Sequence, residues 1–277
     1  MIETFTHPYP WQTIDHTTQT TGAAILKGAL PPTVLHSLNA EIDPYLETSN
    51  LGLPATGSRD YDKFLGHNTI RMHGLIEKFP SSSDIIGDTK IVDWANRTMG
   101  PLAGEVLLNA GELIEIRPGE PRQQAHRDSD SWPIPLNPHP FIVNAIYALD
   151  DFTEENGATW IAPDSWRWPK EQRAETSDYV RAVMKRGDAI IFRGDLIHRG
   201  GANDSDKPRR ALSISYCAGW LRTVENTFMN HSLANIRGQS EQIKALLGFG
   251  AYDGQEQQSS MLGLYENGAP GRYLEDH

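Results

Sequence analysis

From about residue 104 the chain is written as short extended segments cut by turn residues, and that rhythm restricts it to a mainly β architecture. Ile114 and Ile116 alternate with Glu115, and Pro118-Gly119 marks a turn. Phe141 to Leu149 is an apolar run of strand length, Asn156-Gly157 is a second turn, and Ala189-Ile190-Ile191-Phe192 has the pattern of a buried strand. Arg209, Ala211, Ser213 and Ser215 then alternate with Arg210, Leu212, Ile214 and Tyr216. One face of that strand is therefore small and polar, apart from its arginine, and the other is apolar. Strands of this length at short intervals predict a sandwich or small barrel.

The ends of the chain read differently. Ala23 to Lys27 has the pattern of a short strand, after which Pro31-Pro32 opens a helix with Leu35, Leu38 and Ile42 on one face. Residues 85 to 99 read as one helix with Ile91, Trp94 and Ala95 in register. The tail returns to helix through Ile243, Leu246 and Leu247, with Gly248 as its C-cap. The organisation expected is one domain over residues 1–277: a mostly helical flank over about 1–100, a β core over about 104–222 and a helical tail over about 223–277. Residues 164 to 180, with Trp166 and Trp168, read as an insertion that is either a lid or a pinned surface excursion.

Charged residues make up 22% and hydrophobic ones 38% of the 277, the balance of a folded globular chain. A formal net charge of -11 argues against a general grip on nucleic acid or an anionic membrane surface. No apolar run approaches the roughly 18 residues that span a bilayer, and the N-terminus lacks a secretory pattern, so a cytoplasmic location is expected. Cys217 is the single cysteine and cannot form an internal disulfide.

Against that background His126, Arg127 and Asp128 stand out. On extended backbone, residues i and i+2 project from one face, so His126 and Asp128 grip one ion while Arg127 points away. His198, just after the strand at 189–192 and before Gly200-Gly201, supplies a second imidazole. Two histidines and a carboxylate leave coordination positions open on Fe(II), as an oxygenase requires. Arg209 lies on the small polar face, and a buried guanidinium calls for an anion such as a dicarboxylate. Arg210 is its rival, one position away. The other histidines, His7, His16, His36, His67, His73, His139, His231 and His277, lack a partner at ligand spacing, although His73 sits in a segment able to face a pocket.

These residues resemble a known family. Gln123-x-x-His126-x-Asp128, Asn156-Gly157-Ala158-Thr159, Gly187-Asp188-Ala189-Ile190-Ile191-Phe192 leading to His198, and Pro208-Arg209-Arg210-Ala211-Leu212 are similar to the phytanoyl-CoA dioxygenase family of Fe(II)- and 2-oxoglutarate-dependent oxygenases. Gly74-Leu75-Ile76, Gly219-Trp220-Leu221-Arg222 and Glu225-Asn226 extend the likeness, which covers most of residues 22 to 235.

The resemblance implies a double-stranded β-helix, the cupin-like jelly roll, with flanking helices. It implies His126, Asp128 and His198 as iron ligands, and Gln123, Thr159 and Arg209 as contacts of 2-oxoglutarate. Ile146 and Ser215 are implied as substrate contacts, and Asn144 joins them because strand parity puts it on the face of Ile146. The implied reaction consumes O2 and 2-oxoglutarate, releases succinate and CO2, and oxidises a C–H bond of a small metabolite, with hydroxylation and desaturation both open. Asp128 fills the position that halogenating relatives leave to chloride, so halogenation is not expected. Tryptophans at 132, 160, 166 and 168 point to an apolar substrate, and secondary metabolism is the expected setting. The rival reading is a cupin-like zinc or manganese hydrolase or isomerase, because zinc accepts the same ligand types. The expected partner is a small molecule, with no nucleic acid and no membrane. The helical flank offers a face for a homodimer, but no heptad specifies one.

Overall fold

The computed structural model describes residues 1–49, 57–135, 138–252 and 261–276; His277 lies outside them. Seven strands form one large sheet in the order β1 (Glu3–Phe5), β2 (Ala23–Leu26), β8 (Ala189–Arg193), β5 (Ile142–Ala148), β10 (Arg209–Ala218), β4 (Val106–Ile116) and β3 (Thr69–Met72). All neighbours are antiparallel except β1 and β2. Facing it is a small antiparallel sheet, β7 (Val180–Arg181), β6 (Trp160–Ile161) and β9 (His198–Arg199). Two opposed antiparallel sheets with helices outside are the jelly-roll arrangement.

The period-2 pattern of β10 decides which side of the sheet is which. Leu212, Ile214 and Tyr216 join the main core, together with Ile14, Leu38, Ile42, Trp94 and Ala95 from α1 (Trp11–Thr20), α2 (Pro32–Thr48) and α6 (Thr89–Met99). That core lies between the helices and the outer face of the large sheet. A smaller cluster, including Ile25, Ile190, Phe192, Ala211, Ile161 and Phe152, fills part of the space between the two sheets. The rest of that space is a cavity, toward which Ser213 and Ser215 turn.

Three details differ from expectation. The strand expected over 23–27 is β2, but β1 and β3 are further strands of the flank, and all three join the large sheet, so the β framework draws on residues well before 104. β1 and β3 are edge strands of 3 and 4 residues, too short to show a period. The helix expected over 85–99 is two, α5 (Ser82–Ile86) and α6, because the Asp88 side chain accepts from Lys90 N at 2.9 Å and starts a new helix. Finally, β4 carries a bulge: Ser215 pairs with Ala110 but Tyr216 with Leu108. The extra residue, Asn109, is turned into the cavity beside Ala110.

Candidate active site

The cavity between the sheets holds about 490 Å³, and its inner wall is organised in rungs across β5, β10 and β4. Arg209 lies opposite Ile116, Ala211 opposite Ile114 and Ala148, Ser213 opposite Glu112 and Ile146, and Ser215 opposite Ala110 and Asn144.

His126 and His198 exchange backbone hydrogen bonds as an isolated antiparallel bridge, at 3.0 and 2.9 Å, which fixes the two imidazoles side by side. Their ring centres are 4.3 Å apart. Asp128 begins a 3-10 turn immediately after the extended Arg127, so its carboxylate swings back to the same side. His126 Nε2 is 3.3 Å from Asp128 Oδ1, and His198 Nε2 is 3.6 Å from Asp128 Oδ2. One donor atom from each of the three lies within 4.8 Å of the others. Carbonyls of Gln124 and Leu196 sit 3.0 Å from His126 Nδ1 and His198 Nδ1. Each carbonyl accepts the Nδ1 proton and leaves Nε2 bare for a metal.

The electrostatics agree with that assignment. Burial lowers the pKa of His198 to about 4, against the attraction of Asp128, so the imidazole is neutral at physiological pH. Burial alone would raise Asp128, but His198, His126 and the Asn144 amide outweigh it and hold the carboxyl at about 2. A neutral imidazole and an ionised carboxylate are the forms that bind metal. Asn144 Nδ2 donates to Asp128 Oδ2 at 2.8 Å, which places Asn144 behind the ligand as a brace. Ile146 and Ser215 line the cavity wall nearby.

Arg209 is 3% exposed and enters the same cavity. Its Nη2 donates to Gly157 O, its guanidinium lies 4.1 Å over the Phe152 ring, and its buried Nε has no partner. No carboxylate of the described residues pairs with it. Burial, with the nearby charge of Arg71, lowers its pKa to about 9, and a buried cation in this state is completed by an anion. Arg210 points the other way, donating to Glu115 at 2.9 Å and Asp43 at 2.6 Å. The alternation of β10 thus separates the two arginines. Thr159 lines the cavity with Arg209. Gln123 lines it too, but its amide already bridges Phe64 O at 3.2 Å and Gly200 N at 3.1 Å.

Several residues of the site escaped the sequence reading. Arg127, 2% exposed, donates to Asp195 O, Ser165 O and Lys170 O, tying the ligand segment to the loop after residue 164. Trp166 of that loop lies under the Arg193 guanidinium at 3.9 Å, so this insertion is pinned rather than folded over the cavity. On the far wall Arg71 donates to Glu112 at 2.6 Å, and His73 lies 3.6 Å from Glu112 and 3.7 Å from Glu225. Glu225 also accepts from Gly74 N, Gly111 N and Asn230, joining the flank, β4 and the tail. Of the four tryptophans, Trp132 alone lines the cavity among the described residues. Trp160 is occupied by Arg181 and Arg199 at 4.8 and 4.5 Å.

Comparison with known proteins places this geometry among others. Residues 18–211 match the family model described as phytanoyl-CoA dioxygenase. The chain is 30% identical over 221 residues to "Iron/alpha-ketoglutarate-dependent dioxygenase penM" of Penicillium thymicola, covering 76% of this chain and 70% of that protein. It is 29% identical over 266 residues to "Dioxygenase ALT11" of Alternaria alternata, covering 92% and 83%. Among solved structures, the epimerase SnoN in complex with Fe3+, alpha ketoglutarate and nogalamycin RO superposes with a TM-score of 0.60 at 17% identity, covering 76% of this chain and 84% of that one. The last likeness is one of fold.

Proposed function

This chain belongs to the phytanoyl-CoA dioxygenase family, and from that premise we propose which of its residues carry the chemistry. It is an Fe(II)- and 2-oxoglutarate-dependent dioxygenase that uses O2 and acts on a small molecule. His126, Asp128 and His198 hold the iron, through two imidazole nitrogens and one carboxylate oxygen. Arg209 takes the distal carboxylate of 2-oxoglutarate, with Thr159 beside it. The single observation that carries the assignment is the convergence, in one cavity, of three ligand atoms within 4.8 Å and a buried guanidinium with an unpartnered Nε. A zinc or manganese hydrolase would need the triad but would leave Arg209 without purpose.

When bound, the ferrous ion and cosubstrate supply the oxidising power for C–H attack as 2-oxoglutarate becomes succinate and CO2. The protein's own residues do the positioning. The carbonyls at 124 and 196 hold the imidazole protons on Nδ1, Asn144 fixes one oxygen of Asp128, and the apolar rungs of Ile114, Ile116, Ile146 and Phe192 exclude water. Gln123 braces the ligand loop against Phe64, whose ring packs edge-on to His126 at 4.7 Å. Secondary metabolism is the setting these relatives favour, with hydroxylation or desaturation as the outcome. Among the described residues no helix is long and apolar enough to cross a membrane, and the buried thiol of Cys217 suits a reducing, cytoplasmic setting.

The test is anaerobic addition of Fe(II) and 2-oxoglutarate, followed by the weak metal-to-ligand charge-transfer band that bidentate cosubstrate produces. Iron binding without such a band contradicts the assignment of the cosubstrate site.

A further inference from the structure

The wall of the cavity formed by β10, β4 and β3 shows what kind of molecule it accommodates. Sheet order sets β5, whose Asn144 braces Asp128, two strands from β4, so the Glu112 backbone lies ~10 Å across the sheet from the metal side. This reasoning rests on the assignment of His126, Asp128 and His198 as iron ligands.

Glu112 occupies the middle rung, opposite Ser213. Its Oε2 accepts from Arg71 Nη1 at 2.6 Å, while among the described residues Oε1 has only His73 Nε2, at 3.6 Å, beyond hydrogen-bond range. Ser213 lines the cavity, and its hydroxyl makes no hydrogen bond with the described residues. Ser215 accepts from Asn109 Nδ2 at 3.1 Å, which leaves its own hydroxyl proton uncommitted. Of the other cavity carboxylates outside the metal triad, Glu120 accepts through Oε2 from Asn68 N and Thr69 Oγ1, and Asp130 lies 3.9 Å from Lys170 at the surface. On the β10–β4 rungs beyond Arg209, free acceptor and donor capacity thus meets at Glu112, Ser213 and Ser215.

Charge decides which polar group fits there. Arg71, Glu112, His73 and Glu225 alternate in sign along the wall whenever His73 is protonated. A substrate ammonium would meet Arg71, and a substrate carboxylate would meet Glu112. A neutral hydroxyl avoids both repulsions, donating to Glu112 Oε1 and exchanging hydrogen bonds with Ser213 and Ser215. Of the four tryptophans behind the expectation of an apolar substrate, Trp132 alone lines the cavity among the described residues.

We propose that the substrate of this dioxygenase is a neutral, hydroxylated molecule whose alcohol groups are read by Glu112, Ser213 and Ser215, making these three residues determinants of specificity.

The probes are four molecules on one carbon skeleton: trans-1,4-cyclohexanediol, its dimethyl ether, trans-1,4-diaminocyclohexane and trans-1,4-cyclohexanedicarboxylate. Binding to the full chain, loaded anaerobically with Fe(II) and 2-oxoglutarate, is measured by equilibrium dialysis. The diol is expected to bind at least about tenfold tighter than the other three, and Glu112→Ala to remove that preference. Ser213→Ala leaves the Arg71–Glu112 pair in place and is expected to weaken the diol about threefold, which keeps the test decisive if Glu112→Ala fails to fold. Equal or tighter binding of the ether, diamine or diacid overturns the proposal, as does no diol binding or an unchanged diol affinity in both variants. The charge-transfer band separates the two levels of inference: its absence removes the iron and 2-oxoglutarate assignment itself, whereas its presence without diol preference removes only the reading of the wall.

Discussion

Arg209→Met makes the most demanding test of the site because two of its effects diverge. The substitution keeps an unbranched side chain and deletes the charge. Breaking one side of a buried, hydrogen-bonded ion pair costs about 2–5 kcal/mol, and ~1.4 kcal/mol is tenfold in affinity, so the dissociation constant for 2-oxoglutarate should rise roughly 30- to 4000-fold. The cosubstrate-free protein behaves otherwise. There the guanidinium is 3% exposed with an unpartnered Nε, so deleting it relieves a buried charge while depriving Gly157 O of its donor. These contributions oppose each other, and stability should stay within about 1–2 kcal/mol of the parent. Anaerobic titration of the charge-transfer band gives the affinity, and thermal melts with and without 2-oxoglutarate give the stability. The cosubstrate should raise the midpoint of the parent and leave that of Arg209→Met unmoved. Arg210→Met, which removes a pair with Glu115 and Asp43 on the outer face, should retain affinity within about threefold and lose stability instead. A reversed order of the two variants, or near-normal 2-oxoglutarate binding by Arg209→Met, refutes the reasoning.

His198→Ala should abolish succinate formation and lower the iron retained after dialysis, and persistence of most turnover would remove His198 from the ligand set. Arg127→Met should lower the melting temperature and weaken iron binding at least about tenfold, because three carbonyls lose a charged donor worth about 1.5–3 kcal/mol each before relaxation; unchanged iron affinity would make Arg127 a fold residue only. Glu225 gives the pH prediction. Burial would raise its carboxyl, but His73, Gly111 N and Asn230 hold it at about 2 against 4.5 for the free group. A depressed carboxyl contributes stability that is complete above pH 4.5 and is lost as pH falls toward 2, here about 3 kcal/mol. Glu225→Gln should therefore flatten the acid limb of the stability curve between those limits, and an unchanged limb in denaturant titrations would contradict the role.

What the sequence made legible was whatever repeats with a short period. The alternation over 209–216 predicted which residues of β10 face inward and separated Arg209 from Arg210, because a strand's side chains change face at every residue. His126-x-Asp128 was readable for the same reason. The far wall was hidden. Of its residues only His73 was expected near a pocket, because Arg71, His73 and Glu112 come together only when β3, a four-residue edge strand, pairs with β4, and nothing local to residues 69–72 announces that pairing. Asn109 was hidden by a bulge, which moves one residue out of the strand's alternation without a mark in composition. Of the four tryptophans Trp132 alone lines the cavity among the described residues, because bulk and apolarity do not say on which side of a sheet a ring lies, and arginines stack on Trp160 and Trp166.

Arg127 restrains the segments that carry His126, Asp128 and His198. The His126–His198 bridge is a single rung of backbone pairing, and a second link acts on the same segments. Arg127 supplies it from the opposite face: its guanidinium holds Asp195 O, three residues before His198, while its backbone links His126 to Asp128. Asp195 is itself locked by Arg193 through two hydrogen bonds of 2.9 and 2.7 Å, both buried. The segments of His126 and His198 are thus joined through side chains as well as through main chain. On the proposed assignment of iron to His126, Asp128 and His198, loosening this link acts on the ligand atoms themselves, which is why the loss expected on Arg127 substitution is in metal affinity rather than in the affinity for 2-oxoglutarate once iron is bound.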